Sequence, residues 1–127
     1  MNQPEADFVN SLYQTRDQYR ANAERAIASG EYRKASELLW GALTQQLKAF
    51  AATRNILITS HRQFFELVRE LATEMKEKSI YEDFVSLNAL HKNFYDEIIP
   101  NELFPDFYEK TIRYIARLDE LTRSPKV

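Results

Sequence analysis

Two histidines, His61 and His91, are the only imidazoles in the chain. They are its best candidates for moving protons near neutral pH. His91 lies in the run Leu90-His91-Lys92-Asn93-Phe94-Tyr95, on the apolar stripe of an expected helix. A polar ring facing a core or an interface needs a partner, or it costs stability. Asn88, three residues before, and Tyr95, four after, share its helical face, so either is expected to hydrogen-bond the imidazole. The ring is then a paired core histidine or a general acid or base in a cleft. His61 follows an expected N-cap, Ser60. There the positive end of the helix dipole lowers an imidazole pKa and favours bound anions; the alternative is a histidine that packs or helps to cap. Arg54 stands seven positions before His61, an Arg-x(4–6)-His spacing in which the guanidinium would stabilise charge developing at a reacting phosphate.

Other chemistries find no residues to carry them. There are no cysteines, which removes thiolate catalysis, disulfides and Cys-based zinc sites. Two glycines cannot build a phosphate-binding loop, a dinucleotide fingerprint or a serine nucleophile elbow. The histidines are thirty residues apart with no carboxylate set in ligand spacing, and Glu66 and Glu70 read as a solvated helix face. No metal and no cofactor are expected.

The elements that must hold these residues are helices. Glycine and proline are scarce, at two and four in 127 residues, which disfavours sandwiches and favours a few long helices. Phe8, Leu12, Tyr19, Ala23 and Ala26 recur at helical spacing in a first helix over residues 4–29, with Gly30 suited to end it. A second covers 31–52, its stripe of Tyr32, Ala35, Leu39, Ala42, Leu47 and Phe50 widened by Leu38, Trp40 and Leu43. That breadth predicts a central helix, and Ala35, Ala42, Ala49 and Gly41 would let neighbours approach closely. After a connector over 53–59, Ser60 and Gln63 form a capping box for a third helix, with Phe64, Val68, Leu71 and Met75 inward. A fourth starts near Ser79, with Glu82 in capping-box position, and carries Ile80, Phe84, Leu87, His91, Phe94 and Ile98 to Pro100. Pro105 suits the first turn of a fifth helix, whose stripe is Tyr108, Ile112, Ile115 and Leu118. The expected fold is all-α: an antiparallel up-and-down bundle of about five helices, in one domain over 1–121, with a loose tail over 122–127.

An apolar fraction of 44% and a charged fraction of 28% are those of a globular protein with a real core. Net charge is −2, so the whole chain is not an electrostatic binder of nucleic acid. Residues 1–62 carry eight Lys and Arg against six Asp and Glu, and 63–127 carry nine against thirteen, which allows a local basic surface on the first half. No apolar run follows a basic start, and no segment approaches the roughly 18 apolar residues of a membrane span. A cytoplasmic protein without a membrane partner is expected.

The string Tyr32-Arg33-Lys34-Ala35-Ser36-Glu37-Leu38-Leu39-Trp40-Gly41-Ala42, continued by Leu47-Lys48-Ala49, then Ser60-His61 and Leu90-His91-Lys92-Asn93-Phe94-Tyr95, resembles the HEPN superfamily. The closest likeness is to its PaREP-type branch of small archaeal and bacterial helical proteins, and it spans roughly residues 20–121. The resemblance implies a HEPN-like helical bundle that forms a homodimer. Active members are metal-independent endoribonucleases whose Arg-x(4–6)-His motif lines a cleft shared by two subunits. There a ribose 2′-OH attacks the adjacent phosphate while His moves protons and Arg stabilises charge. Other branches lack the motif and bind RNA or nucleotides, often beside toxin–antitoxin or defence partners such as a nucleotidyltransferase-like protein. An arginine serving His91 would fall at Phe84, Val85 or Ser86, none of them basic. His61 has Arg54 at the right spacing, although Ser60-His61 also matches the Ser/Thr-His that opens the third helix of small members.

Three readings follow. The first is a homodimer that binds RNA or a nucleotide, or regulates a partner, without catalysis. His91, Asn88, Asn93 and Tyr95 would shape its cleft, and Lys34, Lys48 and Arg54 would contact phosphate. The second is a ribonuclease with His91 or His61 as acid and base and Arg54 as charge stabiliser. The third is a purely structural dimerisation module.

Overall fold

In a computed structural model that describes residues 2–124, the chain is a helical bundle with no strand among the described residues. Its helices are α1 (Gln3–Ala28), α2 (Tyr32–Thr53), α3 (His61–Met75), α4 (Ser79–Asp96) and α5 (Phe104–Arg123), with a 3₁₀ turn at Asn101–Leu103.

Capping residues set several of these limits. Asn2 accepts the Glu5 amide at the start of α1. Gly30, at φ +75°, carries the chain out of α1 through the left-handed region, where a side chain would be strained. The expected capping box opens α3: Gln63 accepts the Ser60 amide at 2.9 Å. The one expected for α4 does not form. Ser79 is already helical, and no side chain caps that end.

α2 is the central helix. Its buried residues include Ala35, Leu39, Trp40, Ala42, Leu43, Leu47, Ala49 and Phe50, and it packs against α1, α4 and α5. At Gly41 the Tyr19 ring lies so close that a Cβ would sit 3.0 Å from its Cδ2. Contacts between α2 and α4 climb one helix as they descend the other: Arg33 meets Phe94, Ser36 meets Asn93, Glu37 meets His91, and Trp40 meets Phe84.

Other expected features come out differently, and Met75, expected inward on α3, is exposed. Phe8 is exposed, and its neighbour Val9 is buried beside Leu12 and Ala49. α4 ends at Asp96, before Pro100, because Glu97 turns left-handed at φ 50° and Asn93 Oδ1 takes the Ile99 amide at 2.7 Å. This refolding buries Ile99 and exposes Ile98. The last helix also runs past residue 121. Thr122 is buried, receives the Gln46 amide at 3.1 Å and donates to the Leu118 carbonyl. Arg16 donates to the same Gln46 side chain at 2.7 Å. This polar relay crosses α1, α2 and α5 and gives buried Gln46 the partners its burial demands. The rest of the expected tail, residues 125–127, lies outside the described residues.

Candidate functional site

His61 and His91 meet. His61 opens α3 and His91 lies in the last turns of α4, yet their ring centroids are 5.5 Å apart. Trp40 on α2 supports both: its centroid lies 5.6 Å from His61 and 5.8 Å from His91, stacked on the latter at 27°. Trp40 is itself held by Phe84 at 5.2 Å, with Phe65 edge-on to Phe84 at 4.9 Å. The indole is buried, while His61 is exposed and His91 half-buried.

His91 does not face the core. After Leu87 the buried stripe of α4 passes to Leu90 and Asn93, leaving His91 half-buried and Phe94 exposed. The partner of His91 is neither Asn88 nor the Tyr95 hydroxyl. Glu37 on α2 brings both carboxylate oxygens within 3.0 and 3.1 Å of Nδ1. A carboxylate only accepts, so Nδ1 is the donor in this contact. Tyr95 stands edge-on to the His91 ring at 5.5 Å and 84°, with Phe94 perpendicular to it at 5.0 Å. Phe65, His61, His91, Tyr95 and Phe94 therefore form a row of successive ring contacts from the start of α3 to the end of α4.

The N-terminal turns of α2 clamp the end of α4 that carries this row. Asn93, buried, donates to Ser36 Oγ at 2.9 Å, and Ser36 donates to the Tyr32 carbonyl. Arg33 closes the helix, its guanidinium donating to the Phe94 carbonyl at 2.6 and 3.0 Å and pairing with Glu97 at 3.2 Å. Asn93 thus ties the end of α4 to α2, with its amide nitrogen on Ser36 and its oxygen on the Ile99 amide. Asn88 is half-buried, and its Oδ1 is the one buried side-chain polar atom without a hydrogen-bond partner among the described residues.

Arg54 stands apart from both histidines. It pairs with Glu74 at 2.5 Å and lies over Phe50 at 4.6 Å. Glu74 is thirteen residues along α3 from His61, about 20 Å of helix at 1.5 Å per residue. The Arg-x(4–6)-His spacing is therefore not an approach in space within one chain. Lys48 is likewise remote, eleven residues and ~16 Å of α2 beyond Glu37. Lys34 is nearer, one turn before Glu37. It is exposed and lines a cleft of about 750 Å³ with Arg33, Asn93, Phe94 and Glu97.

Glu37 and Trp40 are the residues that sequence reasoning passed over. Their signal was the i,i+3 spacing that puts a carboxylate one turn from the single tryptophan. Glu37, His61 and His91 do not make a metal centre: no group of three or more His, Cys, Asp or Glu that could hold an ion occurs among the described residues. No described helix is long and apolar enough to cross a membrane.

Compared with known protein families, residues 13–115 match the model described as the archaeal PaREP1/PaREP8 family. No curated protein and no solved structure matches the chain.

Proposed function

The chain belongs to the archaeal PaREP1/PaREP8 family, and we propose that it is a HEPN-like protein that binds RNA or a nucleotide at the paired histidines. The observation that carries this reading is the meeting of His61 and His91 over Trp40. Aromatic and imidazole faces accept unstacked bases, and such stacking is tolerant of sequence. Lys34, exposed in the adjoining cleft, supplies positive charge for a phosphate. Few cations suffice for one short ligand, so a net charge of −2 is compatible with it. The opposed chain directions of α2 and α4 support the antiparallel bundle expected of a HEPN-like fold. The working unit is a cytoplasmic homodimer, with a nucleotidyltransferase-like protein as its toxin–antitoxin or defence partner.

One observation favours a second reading, a metal-independent endoribonuclease. The Glu37–His91 pair makes Nδ1 the donor, so that in the neutral ring Nε2 is the base. That nitrogen would take the proton of a ribose 2′-OH as its oxygen attacks the phosphate, and protonated His61 would return one to the departing 5′-oxygen. The products are a 2′,3′-cyclic phosphate and a 5′-hydroxyl. Arg54 has no part in this scheme, and Lys34 is the nearer cation.

Both readings are tested by incubating the protein and its His61→Ala and His91→Ala variants with mixed RNA in EDTA. Binding without cleavage, lost in both variants, supports the first. Cleavage that persists in EDTA and disappears in either variant supports the second. Binding retained in both variants contradicts a site at the paired histidines, and a wild type that neither binds nor cleaves RNA leaves the dimerisation module.

A further inference from the structure

A second cleft, of about 450 Å³, opens where α1, α2 and α5 meet, and shares only Tyr32 with the cleft lined by Lys34 and Arg33. It is lined by Tyr32, Phe104 and Tyr108, by Ile27 and Pro105, and by Glu24 and Glu109. The Tyr32 and Phe104 rings pack at 5.0 Å and 42°. Tyr108 donates to Glu24 at 3.0 Å, which fixes its ring against α1. Arg20 pairs with Glu24 from outside the cleft at 3.2 Å. Glu109 is exposed and has no ion-pair partner among the described residues. The lining therefore holds three aromatic rings, two carboxylates and no cation.

We propose that this cleft binds a linear alkyl diammonium, of the aliphatic diamine or polyamine class. Aromatic faces attract organic cations through their quadrupoles. The two carboxylates belong to different helices, α1 and α5, and share the lining with Ile27, Pro105 and the three rings, a composition that a methylene chain with an ammonium at each end complements. An anion meets repulsion from both carboxylates. A neutral apolar ligand would desolvate the carboxylates without compensation. A bare metal ion finds no group of three ligands.

The test is titration of the full chain with 1,4-diaminobutane, followed by amide NMR shifts and calorimetry, with butylamine as the singly charged control. The diamine should give saturable shifts on α1 and α5 around Glu24, Tyr108 and Glu109, and should bind more tightly than butylamine. Glu109→Gln, at an exposed position, should weaken it about fivefold through loss of one ion pair. Tyr108→Leu, which keeps apolar bulk but removes the π face, should weaken it by about the same factor. Absence of saturable shifts at the cleft up to ~10 mM, where even a millimolar site fills, overturns the proposal. So does equal affinity for butylamine, or affinity unchanged in both variants.

Discussion

Glu37 and His91, fifty-four residues apart, are joined by both carboxylate oxygens lying 3.0 and 3.1 Å from a single imidazole nitrogen. The pair links α2 to α4 and orients the His91 ring. Its side chains are each about one-third exposed, so its worth as an ion pair is modest. What it supplies is a defined ring orientation above a buried indole.

Replacing His91 by phenylalanine separates these roles. The new ring keeps the stacking on Trp40, and Glu37 can turn to water, so stability should change by about 1 kcal/mol or less. Binding of RNA or nucleotide should weaken, because a stacking face remains while the imidazole nitrogens are lost. Denaturant unfolding alongside RNA titration checks both; intact binding in this variant would make His91 a packing residue.

Asn93 should behave in the opposite way. Asn93→Ala leaves the Ile99 amide without its acceptor in a buried turn, and should cost about 2 kcal/mol. Ser36→Ala should cost less, because only the hydroxyl between Asn93 and the Tyr32 carbonyl is lost. Urea midpoints of the two variants check the order.

Stability should fall in alkali through Tyr114. Burial, with Asp83 nearby, pushes its phenol well above the usual range, and its hydroxyl donates to the Ile80 carbonyl. In the unfolded chain the group titrates near pH ~10. Its contribution is thus complete below about pH 10 and is lost as pH rises from there toward the folded value. Burial also raises Tyr13 and Tyr108, which add to the same window. Tyr114→Phe should start about 1 kcal/mol less stable at neutral pH and decline less steeply above pH ~10. Unfolding curves at several alkaline pH values read both effects.

Arg54→Ala tests the linear motif. It removes a partly exposed pair with Glu74 and a cation over Phe50, and should cost ~0.5–1 kcal/mol. RNA binding and any cleavage should stay at the wild-type level. Loss of either, at preserved folding, would mean that Arg54 reaches the site, for instance from a second subunit.

The helices were legible because their signals are local. Apolar periodicity, Gly30, the Ser60–Gln63 box and Pro105 placed all five to within a few residues. The breadth of the α2 stripe foretold its central position. The end of α4 was not legible, because it is set by Asn93 reaching six residues forward to Ile99 and by Arg33 arriving from another helix. The same tertiary contacts rotate the buried stripe onto Leu90 and Asn93, so a histidine read as inward became one at a cleft edge. Spacing along the chain suggested Asn88, Tyr95 and Arg54 as companions for the imidazoles. Packing supplied Glu37 and Trp40, and brought together two histidines thirty residues apart.

The central claim is that His61 and His91 form one binding site for RNA or a nucleotide. Long-range proton–nitrogen NMR of the two imidazoles, recorded while a short single-stranded oligoribonucleotide is added in EDTA, tests it most directly. The account predicts that both rings shift together along one saturation curve, and that His61→Ala abolishes the response of His91. Saturable binding that moves neither ring, or only one of them, would contradict it.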